Sequence, residues 1–500
     1  MSGPQRSRTP SGGIPARRRL VRLSAVLPRR RFIGARDLPV AGCHVDPRRC
    51  GPGDVLVVRT TALGAADDGI REAAARGAVG VVAEQMVPAY GMPVCIVPDA
   101  DWARARICHA LAGDPAARMR LVAVAGTSGK TTTVWLAAAV LAEAGLRVGV
   151  LSDHGCLEPD AAGPEPLRLD DPGAVAAALE RLAAARCTHV VVEVSSVMLA
   201  HHVLAGVACD VAVVTNVATA HRHRHGTAAA YESIQGRVLD LLAPHGMLVS
   251  CRDDAGARRL ARRWKRAVGV APTVVGLGGA PPRPALWATP VERRLGGQTF
   301  LLQSRDEVMP VSVTTPVQPF VRDALLAAAV GRHLGVPLDA IVRALESVGS
   351  VAGRMERIDR GQEAHCFIDQ PRSSHALAAT FGSLRRLTAG RLVVVAEQRY
   401  AKRLGGTRFS ARAGRWCDDT LVVPDGILDP DPSRAALEAY ARIDRLLAGL
   451  RPRDCLVVLG RGFDPAAAPG GDDGEPQLGL AALVAGWFAL AEAPSSRRVA

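Results

Sequence analysis

Lysine and asparagine are almost missing from this chain of 500 residues. Only Lys130, Lys265 and Lys402 are lysines, and only Asn216 is an asparagine. The formal net charge of +14 is therefore carried by arginine, in a sequence also rich in alanine, glycine and proline. That bias is a compositional drift, so the basic charge says little about partners. Aromatic residues make up 4% of the chain, too few for the stacking platforms of a nucleic-acid groove. No nucleic-acid partner is expected. The 11 cysteines run from Cys43 to Cys455 without one C-x-x-C pair. An odd, scattered set excludes a complete disulfide framework and a zinc ribbon, and fits a reducing cytoplasmic location. No uncharged apolar run is long enough for a bilayer, so no membrane span is expected. Acidic residues are absent from Met1 to Arg31, where Arg, Pro, Ser and Gly dominate. Residues 1–35 read as a disordered basic extension, although an organelle transit peptide shares that composition.

What is present is enough for sizeable cores: 48% hydrophobic and 22% charged residues. Short Val-rich runs alternate with Ala-rich stretches, which predicts an α/β protein of three domains. A small N-terminal α/β domain is expected over 36–118 and a central domain over 119–351. A Rossmann-like C-terminal α/β domain is expected over 352–500. The central domain should hold a parallel sheet with helices on both faces. Its strands are predicted at Leu121–Val124, Arg147–Leu151, His189–Val194, Val211–Thr215 and Met247–Ser250. The stretch Gly276–Gly297, rich in Gly and Pro, reads as loops or a small β insertion.

The sharpest motif is Gly126-Thr127-Ser128-Gly129-Lys130-Thr131-Thr132, between a predicted strand and a predicted helix. Glycines let backbone N–H groups face an anion, and the helix N-terminus adds positive potential. Lys130 suits β- and γ-phosphate charge, and Thr131 suits Mg²⁺. One of three lysines in the chain stands here, which argues against a mere glycine turn. ATP is the expected ligand.

The spelling G-T-x-G-K-T-T resembles the Mur ligases, ATP-dependent amide ligases of peptidoglycan synthesis. Glu193-Val194-Ser195-Ser196 resembles their E-V-S-S. Thr215-Asn216, His221, His225-Gly226 and Tyr231 resemble T-N-x-x-x-D-H-x-D-x-H-G…Y. Gly353-Arg354-Met355-Glu356 resembles G-R-M-E, and Asp369 and Leu377 fit V-D-Y-A-H-x-P-D-A-L. Gly460 to Asp464 fit G-K-G-H-E. In the first domain Pro52-Gly53-Asp54 and Asp68-Gly69 fit P-G-D and D-G-H. The pattern is most similar to the UDP-N-acetylmuramoyl-tripeptide synthetase branch. The resemblance implies phosphorylation of a carboxylate by ATP and attack of an amine on the acyl phosphate. It places Lys130, Glu193 and His221 in catalysis, and Thr131, Glu193 and His221 on Mg²⁺. It places residues Gly126 to Thr132, Asn216, Arg354 and Asp369 around ATP, and Ser195, Gly460 and Asp464 at the substrate. The implied partners beyond ATP are a UDP-N-acetylmuramoyl peptide and an amino acid.

Departures from the family cluster on the substrate side. The frame Y-x-x-x-K-x-x-L, whose lysine is carbamylated in the family, runs here as Tyr231…Gln235…Leu239. Gln235 is neutral and takes up no CO₂. Val197, His201 and Val203 replace residues that grip the nucleotide-sugar, and Asp170-Asp171-Pro172 replaces Thr-Thr-Pro. D-Y-A-H reads Asp369-Gln370-Pro371-Arg372. The D-N-P-R signature for a diaminopimelate carboxylate is absent. Three readings stay open at this point: a Mur-type ligase, such a ligase with a different acceptor, or a nucleotide-binding relative without ligase activity. Outside the motifs, His223 reads as exposed, and Asp153 and Asp253-Asp254 read as plain loop residues.

Overall fold

Short Val-rich strands and Ala-rich helices set every sheet of the protein. The computed structural model describes residues 19–59, 63–218, 226–425, 434–460 and 480–491. The chain divides into two units, Met1–Asp114 and Pro115–Ala500. In the first unit, β1 (Val21–Arg22) pairs with β3 (Pro39–Val40). A second sheet has the order β2-β7-β6-β5-β4 among the described residues. Its strands are β2 (Arg31–Ile33), β4 (Gly42–His44), β5 (Asp54–Val58), β6 (Gly80–Ala83) and β7 (Val94–Ile96). β4 to β7 run parallel, and β2 runs antiparallel to β7. β5 reads DVLVV and is buried throughout, as a strand covered on both faces requires.

Residues 19–35, expected to belong to a disordered extension, are built into the first unit, and residues 1–18 lie outside the described residues. Leu23 and Leu27 are buried, and Ser24 N–H donates to Asp37 Oδ1 at 2.9 Å. The apolar positions of Val21-Arg22-Leu23-Ser24-Ala25-Val26-Leu27 find a core, while their arginine neighbours point outward. The arginine content had masked that spacing.

In the second unit the central sheet has ten strands among the described residues. Its order is β10-β9-β11-β8-β12-β13-β14-β15-β16-β17. The first six in chain order are β8 (Arg120–Ala125), β9 (Val148–Ser152), β10 (Gly155–Leu157), β11 (His189–Val194), β12 (Cys209–Val214) and β13 (Leu242–Cys251). β14 (Thr273–Leu277), β15 (Leu286–Arg294), β16 (Gly297–Gln303) and β17 (Val308–Val313) follow. The inner strands are parallel, as expected, but both edges are antiparallel. The Gly/Pro-rich stretch leads into a meander, β15 to β17, that widens the sheet.

Alternate residues of β8 face opposite ways: Val122 and Val124 join one apolar cluster, Leu121 and Ala123 the other. The helices Lys130–Glu143 and Gln318–His333 cover the first face, and Pro172–Ala184 and Ala255–Val268 the second. This two-faced burial is what continuous Val/Ala runs demand.

A second sheet in this unit has the order β18-β19-β22-β20-β21 among the described residues. Its strands are β18 (Arg354–Ile358), β19 (His365–Asp369), β20 (Leu392–Glu397), β21 (Asp419–Val423) and β22 (Cys455–Leu459). All pairs are parallel except β18 with β19. All 11 cysteines are free and buried. Among the described residues no helix is long and apolar enough to cross a membrane.

Candidate active site

β8 sits between β11 and β12 in the central sheet, although the chain visits β9 first. Loops leaving strands on both sides of β8 therefore open into one crevice, the place where parallel α/β sheets bind ligands. The phosphate loop leaves β8 and enters the helix Lys130–Glu143. Gly129, its N-cap, has φ 81°. A Cβ on Gly129 would lie 2.3 Å from Asp323 Oδ1, and one on Gly126 would lie 2.1 Å from Thr215 Oγ1. Both positions require glycine.

The loop is stitched to the segment after β12. Thr127 N–H donates to the Asn216 carbonyl at 2.9 Å, and Ser128 N–H donates to Asn216 Oδ1 at 3.2 Å. Asn216 Nδ2 donates to the Ser128 carbonyl at 3.0 Å, and Thr215 Oγ1 donates to the same oxygen at 2.7 Å. Both ends of the lone asparagine's amide thus hold the loop. Aspartate would lose the donor, which is a physical reason for asparagine here.

Beside the loop lies a cluster of charge. Thr131 Oγ1 donates to Glu193 Oε2 at 2.8 Å, and Lys130 Nζ is 3.9 Å from Glu193 Oε1. Arg354 Nη2, from β18, donates to Thr131 Oγ1 at 3.0 Å. Arg372 Nη1 is 2.8 Å from Asp153 Oδ2, and Arg354 Nη2 is 3.9 Å from the same oxygen. Burial, with the charge of Asp153 beside it, raises the Glu193 carboxyl above the usual carboxylate range. Burial also opposes ionisation of Asp153, but Arg372, a hydrogen bond with Glu193, Lys130 and Arg354 outweigh it and hold that carboxyl low. Burial lowers the Lys130 ammonium, against the pull of Glu193 and Asp153. Lys130, Arg354 and Arg372 bring three cations to the phosphate loop, the charge that a polyanion calls for.

These groups line one cleft of about 370 Å³, together with residues 127–132, Asn216, Asp323 and Asp369. Asp369 ends β19; burial pushes its carboxyl to about 6, against the influence of Arg354 and a backbone N–H from Met355. Ser195 is elsewhere occupied: its Oγ accepts from Met198 N–H at 3.2 Å and caps a short helix. Gly460 follows β22, beside Glu397 and Leu480, and neither it nor Ser195 lines this cleft. His221 and Asp464 lie outside the described residues.

Sequence reasoning missed Asp153, Arg372 and Asp323 as cleft residues. Asp153 directly follows β9, and β9 pairs with β11, which carries Glu193. Its place immediately after a predicted strand was the available signal. Asp323 comes from the Gln318–His333 helix, and burial pushes its carboxyl well up.

Residues 124–331 match the model of the Mur ligase middle domain. The chain is 32% identical to the UDP-N-acetylmuramyl-tripeptide synthetase of Roseiflexus sp. (strain RS-1), over 85% of this chain and 90% of that protein. The chain belongs to the Mur ligase family. It is accordingly a Mur-type ATP-dependent amide ligase of peptidoglycan-precursor synthesis. A further relative is the UDP-N-acetylmuramoyl-L-alanyl-D-glutamate–2,6-diaminopimelate ligase of Chlorobium phaeobacteroides. It is 27% identical, over 86% of this chain and 88% of that one. A solved diaminopimelate ligase of this kind superposes with TM-score 0.63 at 21% identity, covering 85% of this Mur ligase and 90% of that chain. A MurF ligase from Thermotoga maritima, solved in complex with ADP, gives TM-score 0.57 at 17% identity, covering 83% and 93%. These two structural likenesses bear on the fold alone.

Proposed function

We propose that this Mur ligase binds ATP on the Gly126–Thr132 loop and transfers its γ-phosphoryl group to a carboxylate of a UDP-N-acetylmuramoyl peptide. The observation that carries the reading is the meeting of Arg354, from the C-terminal sheet, with Thr131 and Glu193 beside the phosphate loop. A carboxylate oxygen attacks the γ-phosphorus, the bond to the β,γ-bridging oxygen breaks, and ADP leaves. The amine nitrogen then attacks the acyl carbon, phosphate departs with the C–O bonding pair, and the nitrogen gives up a proton. The chain's work is positioning and charge neutralisation. Loop N–H groups and Lys130 hold the phosphates, while Arg354 and Arg372 face the transferred group. Asp153 holds the Arg372 guanidinium in place.

Thr131 and Glu193 fit Mg²⁺ by the chemistry of their donors: a hydroxyl and a buried carboxylate, 2.8 Å apart, both hard oxygen ligands. Bound there, Mg²⁺ supplies further neutralisation of phosphate charge. His221 belongs to the same proposal on the family pattern.

The amine is an amino acid, and diaminopimelate is disfavoured. The chain lacks D-N-P-R, and Asp171 accepts from Gly173 N–H at 3.0 Å as a helix cap. The test is phosphate release by purified protein over a panel of UDP-N-acetylmuramoyl peptides and amino acids, with Lys130→Ala as control. Release requiring both substrates is expected. Measurable ATP binding with no release from any pair would favour the nucleotide-binding relative without ligase activity.

A further inference from the structure

Thr127 is one of the buried residues of the phosphate loop. It is 3% exposed, and Tyr231 and Gln235 behind it are 2% and 1% exposed. Tyr231 and Gln235 stand one turn apart on the helix Ala228–Gly236, on the same face. Gln235 Nε2 donates to the Tyr231 hydroxyl at 2.9 Å. That hydroxyl lies 3.1 Å from Thr127 Oγ1. Thr127 Oγ1 also accepts from Ala218 N–H at 3.0 Å and faces the Ala218 carbonyl at 3.4 Å.

The Gln235 amide thus donates into the Tyr231 hydroxyl, and that hydroxyl and Thr127 Oγ1 share a hydrogen bond. Gln235 Oε1 is buried with no hydrogen-bond partner among the described residues. An unmet buried acceptor is unfavourable, so the amide is held there by what its nitrogen does.

We propose that Gln235 and Tyr231 are positioning residues: a buried, uncharged relay that fixes the phosphate loop through Thr127 in the conformation that receives nucleotide. The relay touches neither phosphate nor substrate. It acts by restricting Thr127 and the Ala218 backbone, which flank the loop that Asn216 already stitches. Low polarity around the relay strengthens each bond and makes the chain cooperative.

The inference rests on the loop being the ATP site, and the experiment separates the two. ATP binding to the full-length protein is measured by titration for wild type, Tyr231→Phe, Gln235→Met, Gln235→Glu and the Tyr231→Phe/Gln235→Met double variant. Melting temperatures are recorded beside it. Gln235→Met keeps the volume and removes the donor. Gln235→Glu places an acceptor, in place of a donor, against the Tyr231 hydroxyl. Each single variant is expected to weaken ATP binding roughly tenfold, the factor one buried hydrogen bond carries. KM for ATP should rise more than kcat falls. The double variant should lose no more than either single one, because one relay is broken once. Folded Gln235→Met and Gln235→Glu proteins that both bind ATP like wild type would overturn the relay. So would additive losses in the double variant. If wild type itself binds no ATP, the reading of the loop fails instead.

Discussion

The two sides of the cleft are built from different forces. On the central-sheet side the phosphate loop is held by neutral hydrogen bonds with Asn216, Thr215 and Tyr231, part-buried or buried. On the side of the C-terminal sheet, contact is made by charge: Arg354 and Arg372 reach Asp153, and the Arg372 side chain is 43% exposed. Neutral bonds of this kind are insensitive to salt and hold one geometry. Partly exposed ion pairs are screened and tolerate several. One wall is thus prebuilt for phosphate, and the other adjusts to what lies between. The phosphate-loop residues match the family, whereas Gln235 behind the loop and Gln370-Pro371-Arg372 across the cleft depart from it.

The largest expected effect comes from removing the phosphate-loop cation. Lys130→Ala should lower kcat by about 10²–10³-fold, the usual loss when a single stabilising cation or donor is removed from a transition state. Amine-dependent phosphate release measures it. A loss confined to ATP affinity, with kcat intact, would show that Lys130 serves binding alone.

Next in size is a pH effect on the charged wall. Burial pushes Asp369 up to about 6, above its ordinary value. An acid with a raised pKa in the folded state binds protons more tightly there than when unfolded. Folding is therefore penalised as pH rises from about 4 to about 6, and the penalty is constant above that. Asp369→Asn removes the titration. Its stability relative to wild type should grow across that window, by about 3 kcal/mol at most, and level off above it. Denaturant midpoints at several pH values show this. A difference that does not change with pH would mean that Asp369 is solvated.

Much of the prebuilt wall was legible because its signals are local. A Val-rich strand, two glycines and a lysine opening a helix are contiguous from Leu121 to Thr132, and each has its own physical reason. Glu193 was legible from its place at the end of β11. The charged wall was less so. Asp153 looks like any loop aspartate until β9 is paired with β11, and Arg372 is meaningful only when β19 ends opposite it. Asp153 and Arg372 are more than two hundred positions apart. Ser195 shows the opposite failure: its motif was plain, yet the hydroxyl is spent on a helix cap. In the fold, the parallel core was readable from continuous apolar strands, whereas the antiparallel β15–β17 edge was hidden by glycine and proline.

A smaller effect should follow from Arg372→Ala. The guanidinium that meets Asp153 is partly exposed, so solvent screening limits the pair. About a tenfold fall in kcat/KM is expected, within the range for one charge-assisted contact. Added salt should depress the wild type more than the variant, since the variant has already lost the screened contact. Equal salt sensitivity in both proteins would remove Arg372 from the adjustable wall.

The smallest expected effect is none at all. A lysine at position 235 would add CO₂-dependent charge beneath the phosphate loop. Gln235 instead donates a neutral hydrogen bond to Tyr231, so no group there responds to bicarbonate. Turnover of the wild type should be the same in CO₂-depleted and bicarbonate-supplemented buffer. Gln235→Lys tests the comparison from the other side. A carbamate brought into this pocket would place an anion against a tyrosine hydroxyl that now accepts from an amide. The loop would trade one fixed hydrogen-bond pattern for a charge-dependent one. If the variant gains bicarbonate-dependent turnover without losing ATP affinity, the neutral wall is replaceable and its geometry is set by Asn216 alone. If it loses ATP affinity in either buffer, the neutral bonding of the loop is what the rest of the site has been fitted to.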